Sequence, residues 1–383
     1  MPDNSPVTVG DVVRVLDQAY PPYLAESWDK VGLICGDPAA EVRKIALALD
    51  CTQTVADAAV AAGADMLIVH HPLLLRGVHT VAANTPKGKV IHTLIRNDVA
   101  LFAAHTNADS ARPGVNDKLA ELVGITAGRP IKPIRFGLDK WGVQVPVADA
   151  EALKAALFAA GAGEIGEYSE CAFSWEGAGQ FRPSTSANPV IGARAELTHV
   201  AEARVEFVAP RRLRETLMDV LRTAHPYEEV AFDIVAMEPT QPLDTAYGLG
   251  RVGELPAPMR FADFVQQVAN ALPATEWGVR AAGDPDQLVR TVAVSSGSGD
   301  SFLDAVTALG VDVYVTSDLR HHPVDEHLRA GGPLIVDTAH WASEYPWTSQ
   351  AAEIVQAALP LIDVAVLPIR TDPWTISAHP TTG

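Results

Sequence analysis

The sequence predicts an α/β protein in which two stretches of alternating strands and helices flank a smaller α+β segment. Three observations support this prediction. The chain has 383 residues and 48% of them are hydrophobic, which is enough apolar material for the cores of two or three domains. Short apolar runs alternate with helix-length segments within residues 44–104 and again within residues 290–337. The segment between these two stretches follows a different order of strands and helices.

The first stretch contains three short apolar runs that are typical of buried strands. They are residues 44–50 (KIALALD), 65–69 (DMLIV) and 99–104. The helix after the first run has Thr52 as a candidate N-cap and Gly63 at its end. Parallel strands need a crossover connection, so this alternation predicts a parallel sheet covered by helices.

The second stretch has the same order of strands and helices. Its strands are predicted at residues 290–295, 312–316 and 333–337, with helices at 300–309 and 323–330. The motif AGAD at 62–65 has a counterpart, LGVD, at 309–312, and an H-x3-D motif at 105–109 has a counterpart, H-x3-E, at 340–344. The identity between the stretches is slight, so coincidence is the alternative, but the matching strand order favours an internal duplication.

The middle segment reads as strand, helix, strand, strand, helix and strand. This is the order of the ferredoxin-like, split βαβ sandwich, an α+β fold that is complete in itself. Glycine, proline and polar residues lie near both of its edges, in TAGRPIKP and EPTQPLD. The sequence therefore predicts a discontinuous α/β domain formed by residues 1–130 and 246–383, with an inserted domain at 131–245.

Composition argues against several classes of function. Lys and Arg number 29 against 47 Asp and Glu, a formal net charge of −18, which disfavours nucleic acid as a partner. The three cysteines have no CxxC spacing, and we do not expect a disulfide framework. The N-terminal sequence lacks the pattern of a signal peptide, and no apolar run approaches the roughly 20 residues that span a bilayer. We therefore expect a cytoplasmic protein without a membrane partner.

Histidines and carboxylates follow three of the predicted strands. A parallel sheet presents such side chains to the ligand crevice at the carboxyl ends of its strands. Imidazole and carboxylate ligands together suit Zn²⁺, Mn²⁺ or Fe²⁺. Adjacent histidines on an extended segment diverge, so two ions that share a carboxylate would use them more easily than one. The candidate ligands are His70, His71, Asp109, His340 and Glu344, with His105 beside them.

Each of these residues also has a structural interpretation. A single histidine at a strand end is more often a hydrogen-bonded structural residue, and Asp109 alone could be a loop cap. Three strand-end motifs that together supply imidazoles and carboxylates favour a metal site.

The same motifs resemble a known family. VHHPLL at 69–74, HTNAD at 105–109, the H-x3-E motif at 340–344 and SWDKVGL at 27–33 occur in order and in the expected strand context. Together they resemble the Nif-three-like dinuclear-metal-centre proteins, whose bacterial members are commonly called GTP cyclohydrolase I type 2 homologues. Residues 161–183 and 225–234 resemble the PII/CutA-like domain of the longer bacterial members.

The resemblance implies a ligand set and an assembly. It assigns metal binding to His70, His71, Asp109, His340 and Glu344, with Glu344 as the natural bridging ligand. It implies two divalent ions per subunit and a toroidal homohexamer whose sites face an internal cavity. His105 matches a family motif position without being a standard ligand, so we expect it to assist by proton transfer or by supporting a ligand. Trp341 replaces the tyrosine of many members, and we expect it to change the cavity wall.

Two further motifs are candidates for binding substrate. Ser295, Ser296, Gly297, Ser298 and Gly299 follow a strand and precede a helix, which could make a cradle of backbone N–H groups for an anion or simply a tight turn. His321 and His322 precede a proline, as His70 and His71 do, and could line the cavity.

These observations predict a metal-dependent hydrolase that uses an activated water, as in the GTP ring opening implied by the resemblance. The expected substrate is a small molecule, either a nucleotide or another phosphoester, and Glu344 and His105 are the expected catalytic residues. The alternative is a metal-loaded hexameric regulatory or interaction protein without turnover.

Overall fold

The structure is a computed structural model that describes residues 6–238 and 242–378. These residues form two units. The first contains the described residues up to Ile134 and from Pro242 onward, and the second begins at Arg135. Among the described residues, no helix combines the length and apolar character needed to cross a bilayer.

Strands are numbered along the described chain. They are β1 (Gly32–Cys35), β2 (Lys44–Ala48), β3 (Met66–Val69), β4 (Ala100–Ala103), β5 (Lys132–Pro133), β6 (Leu138–Pro146), β7 (Ala172–Phe181), β8 (Thr198–Pro210), β9 (Phe232–Met237), β10 (Gly248–Leu249), β11 (Arg251–Arg260), β12 (Val279–Ala282), β13 (Leu288–Ser298), β14 (Val313–Ser317), β15 (Leu334–Thr338) and β16 (Asp363–Val366).

The α-helices are numbered in the same way. They are α1 (Val9–Ala19), α2 (Gln53–Ala61), α3 (Pro86–Arg96), α4 (Thr106–Ser110), α5 (Val115–Val123), α6 (Ala150–Ala159), α7 (Arg214–Ala224), α8 (Phe261–Ala271), α9 (Leu303–Leu309), α10 (His321–Arg329), α11 (His340–Glu344) and α12 (Trp347–Ala358).

The first sheet of the first unit has the strand order β1-β4-β3-β2-β16. Strands β2, β3, β4 and β16 are parallel, and β1 runs antiparallel at one edge. Every residue of β3 and β4 is buried, as expected for a parallel sheet covered on both faces. Thr52 caps α2 by accepting a hydrogen bond from the Val55 N–H. Because β2, β3 and β4 are parallel neighbours, their carboxyl ends meet at one edge of the sheet.

The second sheet of this unit has the order β11-β13-β14-β15-β12. Its three central strands are parallel, and the two edge strands are antiparallel to their neighbours. The core beside it is formed by α5, α8 and the central strands, with Leu119, Phe264 and Val315 fully buried. Strands β14 and β15 end at the short segments that lead into α10 and α11.

An aspartate has the same contacts in both sheets. Asp65 precedes β3, and its Oδ2 accepts hydrogen bonds from the backbone N–H groups of Arg43 and Lys44. Asp312 precedes β14, and its Oδ2 accepts hydrogen bonds from the N–H groups of Arg290 and Thr291. Each aspartate thereby holds the residues that come just before the preceding strand begins its parallel pairing with the aspartate's own strand.

The second unit contains, in order, β6, α6, β7, β8, α7 and β9. Its antiparallel sheet has the order β7-β8-β6-β9. The core includes Trp141, Val205, Leu153 and Leu217, which come from the sheet and from both helices. Burial alternates along β8, so one face of the sheet packs on the helices.

Candidate metal centre

His70 directly follows β3 and is fully buried. Its Nδ1 lies 2.7 Å from the backbone oxygen of Ala104, so Nδ1 donates a hydrogen bond and Nε2 is the nitrogen left to bind a cation. Nε2 has no hydrogen-bond partner among the described residues and lies 3.7 Å from Asp109 Oδ1 and 3.8 Å from Glu344 Oε1. A buried nitrogen without a hydrogen bond indicates a missing partner, and a cation between it and these carboxylates would supply one.

His71 and His340 converge on the other oxygen of Glu344. Nε2 of His71 lies 2.9 Å from Glu344 Oε2, and Nε2 of His340 lies 3.1 Å from the same atom. Oε2 makes no aligned hydrogen bond with either ring. The Nδ1 atoms face outward, 2.7 Å from Asp50 Oδ1 and 2.7 Å from Asp318 Oδ2 respectively. Carboxylates in these outer positions orient the imidazoles so that each Nε2 is directed at the centre.

The carboxylates set the charge of these rings. The Glu344 carboxylate, supported by Asp318, raises the pKa of His340 to about 11. Burial lowers the pKa of His71, but Glu344 and Asp50 outweigh it and raise that pKa to about 10. Burial acts to raise the pKa of Glu344 as well, yet the neighbouring imidazoles lower it well below its usual value. Without a metal, both rings are therefore imidazolium at neutral pH, and Glu344 is ionised.

Asp109 lies on α4, where burial raises its pKa and His70 opposes the shift. Its Oδ1 accepts a hydrogen bond of 3.1 Å from the Ser296 hydroxyl. The Asn116 side-chain amide donates to the Asp109 backbone oxygen and accepts from the Ser296 N–H. Asn116 thus ties the end of β13 to the helix that carries this carboxylate.

His105 lies at the start of α4, beside His70 and His71. Its Nδ1 is 2.9 Å from Asp29 Oδ1. Burial raises the pKa of Asp29, but hydrogen bonds from His105 and Thr106 outweigh it and lower the pKa overall. The Asp29 carboxylate therefore holds this ring as Asp50 and Asp318 hold theirs.

Three groups of side chains bring their ligand atoms within 4.8 Å of one another. They are His71, His340 and Glu344; His70, Asp109 and Glu344; and His70, His71 and His105. Two ligand atoms about 2.1 Å from one tetrahedral ion lie about 3.4 Å apart, so separations of 2.9 to 3.8 Å suit shared coordination. These groups can hold a metal ion, and Glu344 belongs to two of them.

Gly297 allows the ligands to approach the backbone. Its φ is +61°, and a Cβ added there would lie 2.4 Å from Glu344 Oε1 and 3.2 Å from His340 Nε2. Both the backbone conformation and the available space therefore require glycine at this position.

The ligand cluster lies in a cavity of about 920 Å³ in the first unit. Its lining includes His71, His105, Asp109, His340 and Glu344, and also Trp28 and Lys132. This volume is within the range of small-molecule sites.

The family model for Duf34/NIF3 (NGG1p interacting factor 3) matches residues 7–373. The chain belongs to the Duf34/NIF3 family. A relative from Mycobacterium tuberculosis, named GTP cyclohydrolase 1 type 2 homolog, is 54% identical over 376 residues, which are 97% of each chain. A relative of the same name from Bacillus subtilis is 38% identical over 334 residues, covering 87% of this chain and 88% of its own.

Two solved structures share the fold, and one of them is of a protein described as related to NIF3. A Bacillus cereus protein related to NIF3 matches with a TM-score of 0.78 at 34% identity, over 98% of this chain and 100% of its own. A Staphylococcus aureus protein matches with a TM-score of 0.77 at 30% identity, over 97% of this chain and 99% of its own. The mixed α/β architecture predicted from the sequence is thus confirmed.

The sequence leaves an anion cradle or a tight turn open at residues 295–299, and the hydrogen bonds of this Duf34/NIF3 protein argue against the cradle. The N–H of Ser296 donates to Asn116, that of Gly297 to the Ser343 hydroxyl, and that of Gly299 to the Ser317 backbone oxygen. Strand β13 continues to Ser298, so most of the predicted turn is strand. Three of the N–H groups are already used, and this segment meets the cavity through Ser295, Ser296, Gly297 and Ser298 instead.

His321 and His322 are not among the described residues that line the metal cavity. Both are exposed at the start of α10, and His321 lines a separate cavity with Arg280 and Asp337. Residues 318–320 carry the chain past the strand end, whereas His70 and His71 follow their strand directly. A role for His321 and His322 in lining the internal cavity of an assembly stays a prediction.

Trp341 also departs from the expectation. It is buried and stacks on Tyr345, with ring centroids 4.4 Å apart and planes at 22°, within the hydrophobic core. The described lining of the metal cavity does not include it. Its side chain therefore contributes to packing behind the ligand helix.

Sequence reasoning missed the acceptors that hold the imidazoles. Asp50 and Asp318 each follow a strand, as the histidines do, and this position was the available signal. Asp318 has φ +59°, a left-handed conformation that aspartate tolerates better than most residues. Asp29 lies within SWDKVGL, but its contact with His105 spans 76 residues and has no local signature.

Proposed function

We propose that this Duf34/NIF3 protein is a dinuclear metal-dependent hydrolase. The observation that carries the proposal is that Glu344 belongs to two ligand groups, one with His71 and His340 and the other with His70 and Asp109. A carboxylate shared in this way, with its two oxygens facing different imidazoles, matches the arrangement of two-metal hydrolytic sites.

The proposed ligands are His70, His71, Asp109, His340 and Glu344, and the ions are two of Zn²⁺, Fe²⁺ or Mn²⁺ in each subunit. Nitrogen and carboxylate donors suit these borderline ions. When bound, the two ions would supply Lewis acidity and lower the pKa of a water molecule toward neutrality.

The chain's own residues would then position substrate and move protons. Glu344 is ionised and buried, so it provides a fixed negative charge at the centre. His105 has its Nδ1 held by Asp29, which orients Nε2 toward the other imidazoles. We assign His105 the role of accepting a proton from the attacking water and returning it to the leaving group.

The proposed substrate is a nucleotide or another phosphoester. The relatives in Mycobacterium and Bacillus are named GTP cyclohydrolase 1 type 2 homolog, and opening a guanine ring is a hydrolysis of this class. The cavity has room for a small molecule and combines polar with apolar walls.

A non-catalytic metal-binding protein is the second candidate. The second unit has its own cavity of about 370 Å³, lined in part by Phe181, Pro189 and Tyr227, as a binding module would. In this alternative, the metal centre would have a structural role and the second unit would bind a regulator or partner.

The two candidates differ in turnover. Metal-replete protein should hydrolyse GTP or a member of a phosphoester panel, and Glu344→Gln should abolish that activity. Glu353→Gln is the matched control because Glu353 is exposed on α12. Activity that persists in Glu344→Gln would contradict the mechanism, and no activity on a broad nucleotide panel would favour the binding protein.

We also propose the finer architecture that the family resemblance implies. The two α/β sheets are proposed to be duplicated halves, which is supported by the equivalent contacts of Asp65 and Asp312. The second unit is proposed to be a PII/CutA-like insert, supported by its order of strands and helices. A toroidal homohexamer is the proposed assembly, and light scattering coupled to size-exclusion chromatography would test it.

A further inference from the structure

Trp28 is an exposed aromatic residue in the cavity that holds the ligand cluster. Its side chain is 56% exposed, although it lines that cavity. Its indole ring lies edge-on to His105, with centroids 5.9 Å apart and planes at 78°. A large apolar ring is thus presented to solvent beside the proposed metal site.

The turn that carries Trp28 is fixed at both ends to one residue, Thr106. The Glu26 N–H donates to the Thr106 hydroxyl at 2.9 Å. The Thr106 N–H and hydroxyl both donate to Asp29 Oδ2, at 2.9 and 2.5 Å. The Asp29 N–H closes the turn by donating to the Glu26 backbone oxygen. Since Thr106 follows His105 directly, these contacts fix the backbone position of Trp28 relative to the cluster.

The wall around Trp28 combines apolar side chains with Lys132, which is paired with Glu26 of the same lining. Ile131, Leu249 and Phe302 are apolar members of the same lining. Lys132 also lines the cavity, and its Nζ lies 2.9 Å from Glu26 Oε1. An aromatic ring on a rigid turn loses little conformational entropy when a ligand packs against it, and its π-face accepts any planar ring. The lining therefore suits a flat aromatic ligand that carries a negative group.

We propose that Trp28 is the stacking platform for the base of a nucleotide ligand. The base lies against the indole, and its phosphate extends toward the Lys132 side of the cavity. This platform would define the substrate class of the proposed hydrolytic site and in that sense rests on the proposed function. It requires only that the cavity binds the ligand, whether or not turnover follows.

The test compares guanosine 5′-monophosphate with ribose 5-phosphate, because the two differ by the base alone. Each is titrated into full-length, metal-replete protein by isothermal calorimetry. The wild type should bind the nucleotide more tightly than the sugar phosphate. Trp28→Ala should weaken nucleotide binding by about tenfold, since one base–aromatic contact has a value near that size, and should leave sugar phosphate binding unchanged.

Two variants serve as controls. Trp28→Phe keeps an aromatic face and should retain most of the affinity, which separates stacking from a folding defect. Trp175→Ala removes a similarly exposed indole, 45% exposed, from the second unit and should have no effect. Circular dichroism melts should show that all variants fold.

The outcomes separate the stacking platform from the proposed function. Nucleotide binding that depends on Trp28 without any turnover would support the stacking platform and contradict the hydrolase. The platform would be overturned by equal losses in Trp28→Ala and Trp28→Phe, by equal losses for nucleotide and sugar phosphate, or by a wild type that does not bind the nucleotide.

Discussion

Oε2 of Glu344 lies 2.9 Å from Nε2 of His71, while Oε1 of the same carboxylate faces His70. Adjacent histidines thus meet opposite oxygens of one side chain. Their rings are 5.0 Å apart at 50°, because consecutive residues after a strand diverge. Each oxygen of Glu344 faces one of these diverging rings, which supports Glu344 as a ligand shared by two ions.

Gly297→Ala should damage the metal centre because the added Cβ would lie 2.4 Å from Glu344 Oε1. We expect lower metal content in the purified variant, measured by inductively coupled plasma mass spectrometry. Gly310→Ala is a matched control, since Gly310 has φ +67° but a Cβ added there would meet no atom within 4 Å. Both variants carry backbone strain, so equal metal loss in the two would show that strain rather than the contact is responsible.

Thr371→Val should weaken metal binding without touching a ligand. The Thr371 hydroxyl donates to Asp50 Oδ2, and the other Asp50 oxygen holds His71 Nδ1. Loss of the direct hydrogen-bond partner of a ligand lowers metal affinity by about 10- to 100-fold. Thr371 acts one contact further out, through Asp50, so we expect a loss of about tenfold or less. Chelator competition would measure the change, and Thr371→Ser should restore the affinity. Unchanged affinity in Thr371→Val would show that Thr371 does not support the metal site through Asp50.

Metal binding should release protons at neutral pH. The pKa values of about 10 for His71 and about 11 for His340 mean that both rings are charged at pH 7 without metal, and a ligand imidazole must be neutral. Calorimetry in buffers of different ionisation enthalpy should detect about two protons per chain. Affinity should rise with pH up to about 11, and binding without proton release would contradict these pKa shifts.

The same pKa shifts determine whether the stability of the metal-free protein rises or falls with pH. Both folded-state pKa values exceed the ordinary histidine value of about 6.5. The stabilisation they provide is therefore complete below about pH 6.5 and is lost as pH rises through 10 to 11. Unfolding of the metal-free protein in urea at several pH values would measure this loss.

Arg251→Ala should destabilise the first unit strongly. Arg251 is fully buried, and its guanidinium contacts both oxygens of Asp117 at 2.8 Å. Breaking a buried pair leaves an uncompensated charge and costs about 3–5 kcal/mol in the free energy of unfolding. Arg290→Ala removes an exposed pair with Glu254 and should cost about 1 kcal/mol or less. Similar urea unfolding curves for the two variants would contradict a strong stabilising role for the buried Arg251–Asp117 pair.

The sequence predicts the central strands well and the edge strands poorly. Residues 66–69 form an uninterrupted apolar run, and β3 is buried throughout. Strand β12 has no such run, and its middle residues are exposed, so its sequence alone does not predict a strand. It forms by antiparallel pairing with β15. Strand β16 pairs with β2 from the opposite end of the chain, a contact that no local pattern encodes.

The candidate site, like the strands, is only partly predictable from the sequence. His70, His71 and Glu344 were identifiable because each follows a strand and belongs to a short motif. The acceptors of their outer nitrogens depend on which strands are neighbours, and that information is in the fold. His321 and His322 resemble the first histidine pair in sequence but differ from it in position, because three intervening residues separate them from β14 and they begin α10.

The most direct test of the account is the number of metal ions bound per chain in wild type, Glu344→Gln and Glu353→Gln. A carboxylate shared by two ions predicts about two ions per chain in the wild type and in Glu353→Gln, and a loss of metal from both positions in Glu344→Gln. A wild type with no more than one ion, or a Glu344→Gln variant that keeps two, would contradict the shared role of Glu344.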